Sequence, residues 1–342
     1  MSANDFLLDA GIRHQIFVQR YAGGQVKELL GYLRDMVADV ERKLLEAETL
    51  SEAQRLTTQL REIQNVIDDG LERMNRGLLD SVSDLAEYEA EFAVKTLNTA
   101  STIDAVLPQS ELLRALVTTT PMSLQVGNAR QELTIEQAAQ TYSRKKSGEL
   151  RRIIQTGFVE GATVQDLTRQ VQRVAKRQRS QAEALVRTSI KHISSEARRE
   201  THLANSDILK GEEYVAVLDN RTTIGCAALD GKIFRFNEGP QTPRHWNCRS
   251  ERIPVLDDRF QEGGLVGTRS SLDGPISAKR TYGGWLRDQS ATFQDEVLGS
   301  ERGKLFRQGG LSIENFSDDM GRQYSLDELR LLEPVAFERA GI

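Results

Sequence analysis

Cysteine is nearly missing: Cys226 and Cys248 are the only two among 342 residues. Two cysteines cannot build a disulfide scaffold, so the composition predicts a protein made in a reducing compartment. Proline is scarce too, with 7 residues, and long stretches hold neither proline nor glycine, which permits long helices. No apolar run approaches the roughly 18 residues that span a bilayer. The opening Met1-Ser-Ala-Asn-Asp lacks a basic stretch followed by an apolar one, so no secretory leader is expected. Without secretion, the glycosylation-like triplets at Asn220 and Asn315 carry no meaning.

A dominant charge sign is also absent. The formal net charge of −5 is small for this length and argues against wholesale coating of nucleic acid. The charges are nonetheless uneven. Residues 1–130 carry 13 basic against 20 acidic side chains, whereas residues 131–212 carry 15 against 10. Such shifts mark candidate domain boundaries.

Familiar catalytic signatures are missing as well. There is no phosphate-binding loop followed by Lys-Ser/Thr, no HExxH and no GxSxG. Gly263-Gly-Leu-Val-Gly267 lacks a preceding strand and the right spacing. Only 4 histidines occur, and His14, His192 and His202 sit on helical patterning, where a lone histidine reads as surface or core filler.

What is present is helical periodicity. Val26, Leu30, Leu33, Val37, Val40 and Leu44 recur at spacings of 4, 3, 4, 3 and 4, an apolar stripe on one helix face. Ser51, with Glu52 and Gln54 behind it, predicts a helix restart. A second stripe runs from Leu56 through Ile63, Ile67, Met74 and Leu78 to Phe92, with a bend expected at Gly70 and Gly77. The simplest reading is two long antiparallel helices burying these stripes on each other; the alternative keeps one stripe for a partner.

A polar, broken stretch from Thr118 to Gly127-Asn128 reads as a linker. Helical patterning resumes near Thr134, punctuated by Gly157 and Gly161, and a long helix is predicted from about Thr163 to Leu203. Its first half carries Arg169, Arg173, Lys176, Arg177 and Arg179. That face is solvated, or it meets an acidic protein surface or nucleic-acid phosphates. No aromatics interleave, so no base-stacking platform is expected.

After Gly211 the pattern turns β-like: Tyr214–Leu218, then the Asp230-Gly231 turn and Lys232–Phe236, with Arg252–Val255 as a third run. Residues 257–280 are loop-like. Apolar residues from Trp285 to Leu298 predict a helix, and Ser325 with Glu328 predicts another. The whole reads as mainly α with a small α+β module. Long N-terminal helices occupy 1–117, a linker 118–130, and a domain with a β knot (211–256) spans 131–260. A loop linker covers 261–280 and a helical C-terminal extension 281–342.

The chemistry concentrates in the knot. Cys226, His245 and Cys248 offer three ligands to a tetrahedral zinc, with the fourth missing. The other readings are packed thiols, or a disulfide formed after cell lysis. Buried thiols are the first expectation, the late disulfide the second and zinc the third. The Asp230-Gly231 turn is expected to bring the two cysteines close together.

Residues 211–256 resemble the core motif of the phage Mu F-like head morphogenesis family, minor head proteins of tailed phages. A strand ending in Asp leads there to an Arg-Thr-Cys segment and Leu-Asp-Gly, then to Pro-x-His-x-x-Cys-Arg. Asp219, Arg221, Thr222, Cys226, Leu229, Asp230, Gly231, Pro243, His245, Cys248 and Arg249 match in order and spacing. Gly157–Gly161, Arg187-Thr188 and Ala197-Arg198 resemble the helical lead-in, so the likeness covers roughly 150–256. Trp285-Leu-Arg and Phe293–Gly299 resemble C-terminal extensions more loosely. Thr223 and Ser250 depart from the pattern, standing where the family often has cysteines.

The resemblance implies a non-enzymatic virion protein, made in the host cytoplasm and placed in the phage head in several copies. Its implied partners are the portal protein and other head proteins, with packaged DNA as a further one and no membrane. Its implied work is head assembly, packaging or genome ejection. The rival readings are a DNA-binding protein or a nuclease or toxin-type effector carried in the head. Residues 261–342 hold neither histidine nor cysteine, which argues against acid–base catalysis there. Arg221 and Asp230 are assigned to structure, fixing the knot through charge-assisted hydrogen bonds.

Overall fold

A computed structural model describes residues 2–101, 104–126, 129–260 and 268–342. Among them, no helix is long and apolar enough to cross a membrane. The chain opens with helix α1 (Ala3–Glu46), which starts far ahead of the Val26 stripe. Ser2 fixes that start: its hydroxyl accepts from the Asp5 N–H at 3.1 Å while the Asp5 carboxylate accepts from the Ser2 N–H at 3.2 Å. A short α2 (Glu52–Gln54), capped by Ser51 and Gln54, restarts the helix, and α3 (Leu60–Ala100) carries the second stripe.

The two long helices run antiparallel. Tyr21 donates to the Ser81 carbonyl at 3.1 Å, and Lys43 pairs with Glu62 at 3.0 Å. Helix α3 is unbroken through Gly70 and Gly77, and both glycines allow close approach of α1. A Cβ at Gly70 would lie 2.6 Å from Met36 Cβ, and one at Gly77 would lie 2.8 Å from Leu29 Cδ2. The stripe of α1 is spent inside the molecule: Val26, Leu30, Val40 and Leu44 are buried.

Next come α4 (Ser110–Thr119), strands β1 (Met122–Val126) and β2 (Ala129–Leu133), α5 (Ile135–Glu160) and α6 (Val164–Ala204). The stretch expected to be a plain linker thus contributes, in its described residues, to the antiparallel pair β1–β2, with Met122 and Leu124 of β1 buried; Gly127 and Asn128 lie outside the described residues. Alternating exposure on a short strand hides inside a polar composition, which is why the sequence reads as loop. Thr134 and Thr163 cap α5 and α6, and Gly161 ends α5 in a left-handed conformation at φ 68°. One apolar core joins α1, α3, α4, β1, α5 and α6.

The β module is a three-stranded antiparallel sheet ordered β4-β3-β5, formed by β3 (Leu209–Val215), β4 (Ile233–Phe234) and β5 (Glu251–Leu256). Leu7, Leu8 and Ile12 of α1 pack on Ile208, Leu209, Ile253 and Leu256. The first turns of α1 therefore pack on the sheet as well as on Leu97 of α3, and they fall off the stripe for that reason. Between β3 and β4 lies a helix the sequence reading lacked, α7 (Ile224–Leu229), all of it buried.

The expected loop at 257–280 contains a second hairpin, β6 (Thr268–Ser271) with β7 (Gly274–Ser277). Gly263, Gly264 and Gly267 lie outside the described residues. Helices α8 (Tyr282–Arg287), α9 (Ala291–Leu298), α10 (Ser300–Lys304), α11 (Leu326–Leu332) and α12 (Pro334–Ala340) complete the chain. Ser325 and Glu328 cap α11 reciprocally. Trp285, Phe306, Phe316 and Phe337 share a core with Leu218, Ile224 and Ala227, so this end packs directly on the knot.

Candidate functional site

The knot is organised around two aspartates. Asp219, just past β3, takes a bidentate pair from Arg249 at 2.5 and 2.8 Å and accepts from the Arg221 N–H at 3.0 Å. Burial opposes its charge, but Arg249 outweighs this and holds its carboxyl below the usual range. Asp230 accepts from the Ala216 and Tyr282 N–H groups, each at 2.7 Å. Arg269 closes on it at 2.9 and 3.0 Å. Gly231 follows at φ 83°, a conformation glycine adopts without strain.

Asp230 thus accepts charge-assisted hydrogen bonds, from Arg269. Arg221 takes a smaller part: its side chain is largely exposed and lies 3.6 Å from Asp219. The arginine that serves Asp230 is Arg269, which comes from a hairpin read as loop, and no local pattern pairs it with residue 230.

Thr223 caps α7, accepting from the Cys226 N–H at 3.3 Å. That places Cys226 in the first turn of α7, facing the 240–250 segment. Pro243 opens the segment's His-x-x-Cys stretch, and the Cys248 N–H donates to the His245 carbonyl at 3.0 Å, a tight turn. The ligand atoms of Cys226, His245 and Cys248 all lie within 4.8 Å of one another. His245 Nε2 is 3.4 Å from Cys226 Sγ, and the Tyr214 hydroxyl donates to the same sulfur at 3.2 Å. A hydrogen bond from Cys248 pulls the Cys226 thiol well below its ordinary range. Burial disfavours the charged form of His245, but the neighbouring Cys226 raises it.

The basic face of α6 is partly neutralised on its own surface. Arg169 pairs with Asp166 at 2.5 Å, Arg179 with Glu183 at 3.0 Å, and Arg177 with Glu149. Arg173 and Lys176 stand at exposed positions of the same helix.

A second constellation escaped sequence reading. Glu89 of α3 is met by His14 at 2.8 Å, by Arg198 at 3.0 Å and by the Ser194 hydroxyl at 3.0 Å. Arg198 also reaches Glu251 of β5 at 2.6 Å, and Lys191 reaches that carboxylate at 2.5 Å. Burial opposes the charge on Glu251, yet Arg198 and Lys191 hold its carboxyl down at about 2. Glu212 of β3 joins His202 at 2.7 Å and Arg252 at 2.9 Å. All these side chains are buried. Two histidines expected to be fillers are therefore partners of buried carboxylates. The available signal was α6 itself, whose second half carries small residues on every face (Ser189, Ser194, Ala197), as a central helix does.

The charge hub and the knot share a stretch of chain, from α6 to β5, and that stretch is where similarity to other proteins is found. Residues 148–253 match the model of one family, described as Phage Mu protein F like protein. This segment is similar to that family. It takes in the end of α5, all of α6, and the module from β3 into β5. Glu251, Cys226, His245 and Cys248 fall inside it, whereas Glu89, His14 and Arg269 fall outside. No curated protein and no solved structure matches the chain.

Proposed function

We propose that the protein is a structural component of a tailed-phage head, acting in head morphogenesis close to the portal. The observation that supports this reading is the match over residues 148–253. The residues carrying it serve the architecture: Asp219, Asp230 and Arg249 hold the knot, and Lys191, Arg198 and Glu251 join helices to sheet. Neighbouring head proteins, the portal among them, are assigned to two exposed apolar patches. One is Ile16, Phe17 and Tyr88 on the α1–α3 face; the other is Leu331, Leu332 and Val335 at the C-terminal helices. A role in packaging or ejection belongs to the same reading, with Arg173 and Lys176 of α6 as the candidate DNA contacts.

Quantitative mass spectrometry of purified particles and proheads tests the proposal. The expected result is a copy number that is a small fraction of the major capsid protein. Absence from both kinds of particle would sink it.

A further inference from the structure

We propose that Cys226 Sγ, His245 Nε2 and Cys248 Sγ bind one zinc ion that staples α7 to the 240–250 segment. Three independent features of the geometry lead there. The ligand atoms already sit within 4.8 Å of one another, on two chain segments about twenty residues apart. They need only small rotations to close on a common centre at zinc–ligand distances of roughly 2.0 to 2.3 Å.

The second feature is the orientation of the imidazole. His245 Nδ1 lies 2.9 Å from the Trp246 carbonyl oxygen. A carbonyl only accepts, so Nδ1 is the donor of this pair, and Nε2 is the ring nitrogen that faces Cys226 and the metal position. A histidine ligand is oriented in this way when its outer nitrogen is tied to a carbonyl. On the sulfur side, the Tyr214 hydroxyl donates to Cys226 at 3.2 Å, supporting a ligating sulfur from outside the site.

The third feature is charge and access. Two thiolates neutralise a divalent ion, so the closed site costs little to bury among Tyr214, Leu229 and Phe234. A soft donor set of two sulfurs and one imidazole suits zinc better than magnesium or calcium. The fourth position faces a cleft of about 630 Å³ that Thr223, His245 and Cys248 help to line. The Thr223 hydroxyl, 3.3 Å from His245 Nε2, stands at the edge of that position, where it can hydrogen-bond to a solvent ligand. On binding, each cysteine sulfur loses its proton to solvent, and two sulfur–zinc bonds and one nitrogen–zinc bond form.

The staple has a structural purpose. The apolar cluster around the two cysteines is small, comprising Tyr214, Cys226, Leu229 and Cys248 with Phe234 against them. A metal cross-link compensates for so little core. The fate of the staple is separate from head morphogenesis, because particle stoichiometry does not depend on the metal content of the purified chain.

The test uses the full-length protein purified without chelator. Elemental analysis should return one zinc per chain, and cobalt(II) exchanged into the site should show thiolate-to-metal charge-transfer absorption. Cys248→Ser should lower zinc affinity at least tenfold in a competition titration with a chromogenic chelator. Thr223→Cys supplies a fourth protein ligand and should raise affinity at least tenfold, an outcome that a misfolded variant cannot mimic. A wild-type chain that holds no zinc, shows no charge-transfer band with cobalt and yields two titratable thiols overturns the proposal. So does a Cys226–Cys248 disulfide in freshly made protein.

Discussion

Along most of its length, α1 meets α3 through apolar side chains, with Met36 over Gly70 and Leu29 over Gly77. Toward the first turns of α1 the chemistry changes. His14 lies on Glu89, and Glu89 shares Arg198 with Glu251 of the sheet. The shaft is held by dispersion and the hydrophobic effect, which depend on volume and shape but have no partner specificity. The junction is held by buried ions, each stable only while its own counter-ion is present. A helix pair can thus be robust over one part and exacting over the other. The exacting end is where helices, sheet and the phage Mu F-like segment come together.

The largest effect is expected where a junction ion loses its partner. Glu251→Ala leaves Lys191 and Arg198 buried without that carboxylate and should cost about 3–5 kcal/mol in chemical denaturation. A loss of less than about 1 kcal/mol would mean that the junction is no more exacting than the shaft.

Acid should separate the regions next. Burial holds the His192 pKa down to about 4, despite its hydrogen bond to the Thr120 carbonyl at 3.0 Å. The unfolded chain takes up that proton near pH 6.5, so the folded state is favoured fully above this pH and loses stability as pH falls toward about 4. Glu196 and Glu213 act in the opposite sense: burial raises each to about 7, so they weaken the fold as pH climbs to that value. Comparison with His192→Gln isolates the histidine. Relative to wild type the variant should gain up to about 3 kcal/mol between pH 6.5 and 4. An unchanged difference across this range would mean that the ring takes up its proton in the fold at the same pH as in the unfolded chain.

Within the shaft, close approach should matter more than helix propensity. Gly70→Ala places a Cβ 2.6 Å from Met36 Cβ and should destabilise by about 1–3 kcal/mol. Gly24→Ala meets nothing within 4 Å and should stabilise by about 0.5–1 kcal/mol. Equal signs in thermal melts would refute the account of Gly70.

The smallest effect is expected for a swap that conserves volume. Leu78→Met, fully buried in the shaft, should cost less than about 1.5 kcal/mol and leave the pH dependence unaltered. A larger loss would mean that the shaft core is shape-specific like the junction.

The sequence by itself determined what local chemistry can determine. The α1 and α3 stripes follow from apolar spacing, and Thr134, Thr163 and Ser325 mark helix starts because their hydroxyls cap the residues just behind them. The strand runs at Lys232–Phe236 and Arg252–Val255 and the Cys-His motif were likewise readable, since each is a pattern within a few tens of residues; the run expected at Tyr214–Leu218 lies too late, because β3 is Leu209–Val215. Tertiary structure alone decided the rest. The start of α1 was hidden because Leu7 and Ile12 pack on a sheet some two hundred residues away in the chain. Helix α7 was hidden because it is one short turn buried on all sides, with no polar face to set a period. Arg269 met Asp230, and Glu89 met Arg198 and His14, through the fold and not through spacing. A charged side chain bears the same letter whether it is solvated or buried, and only the arrangement of its neighbours fixes which counter-ion it finds.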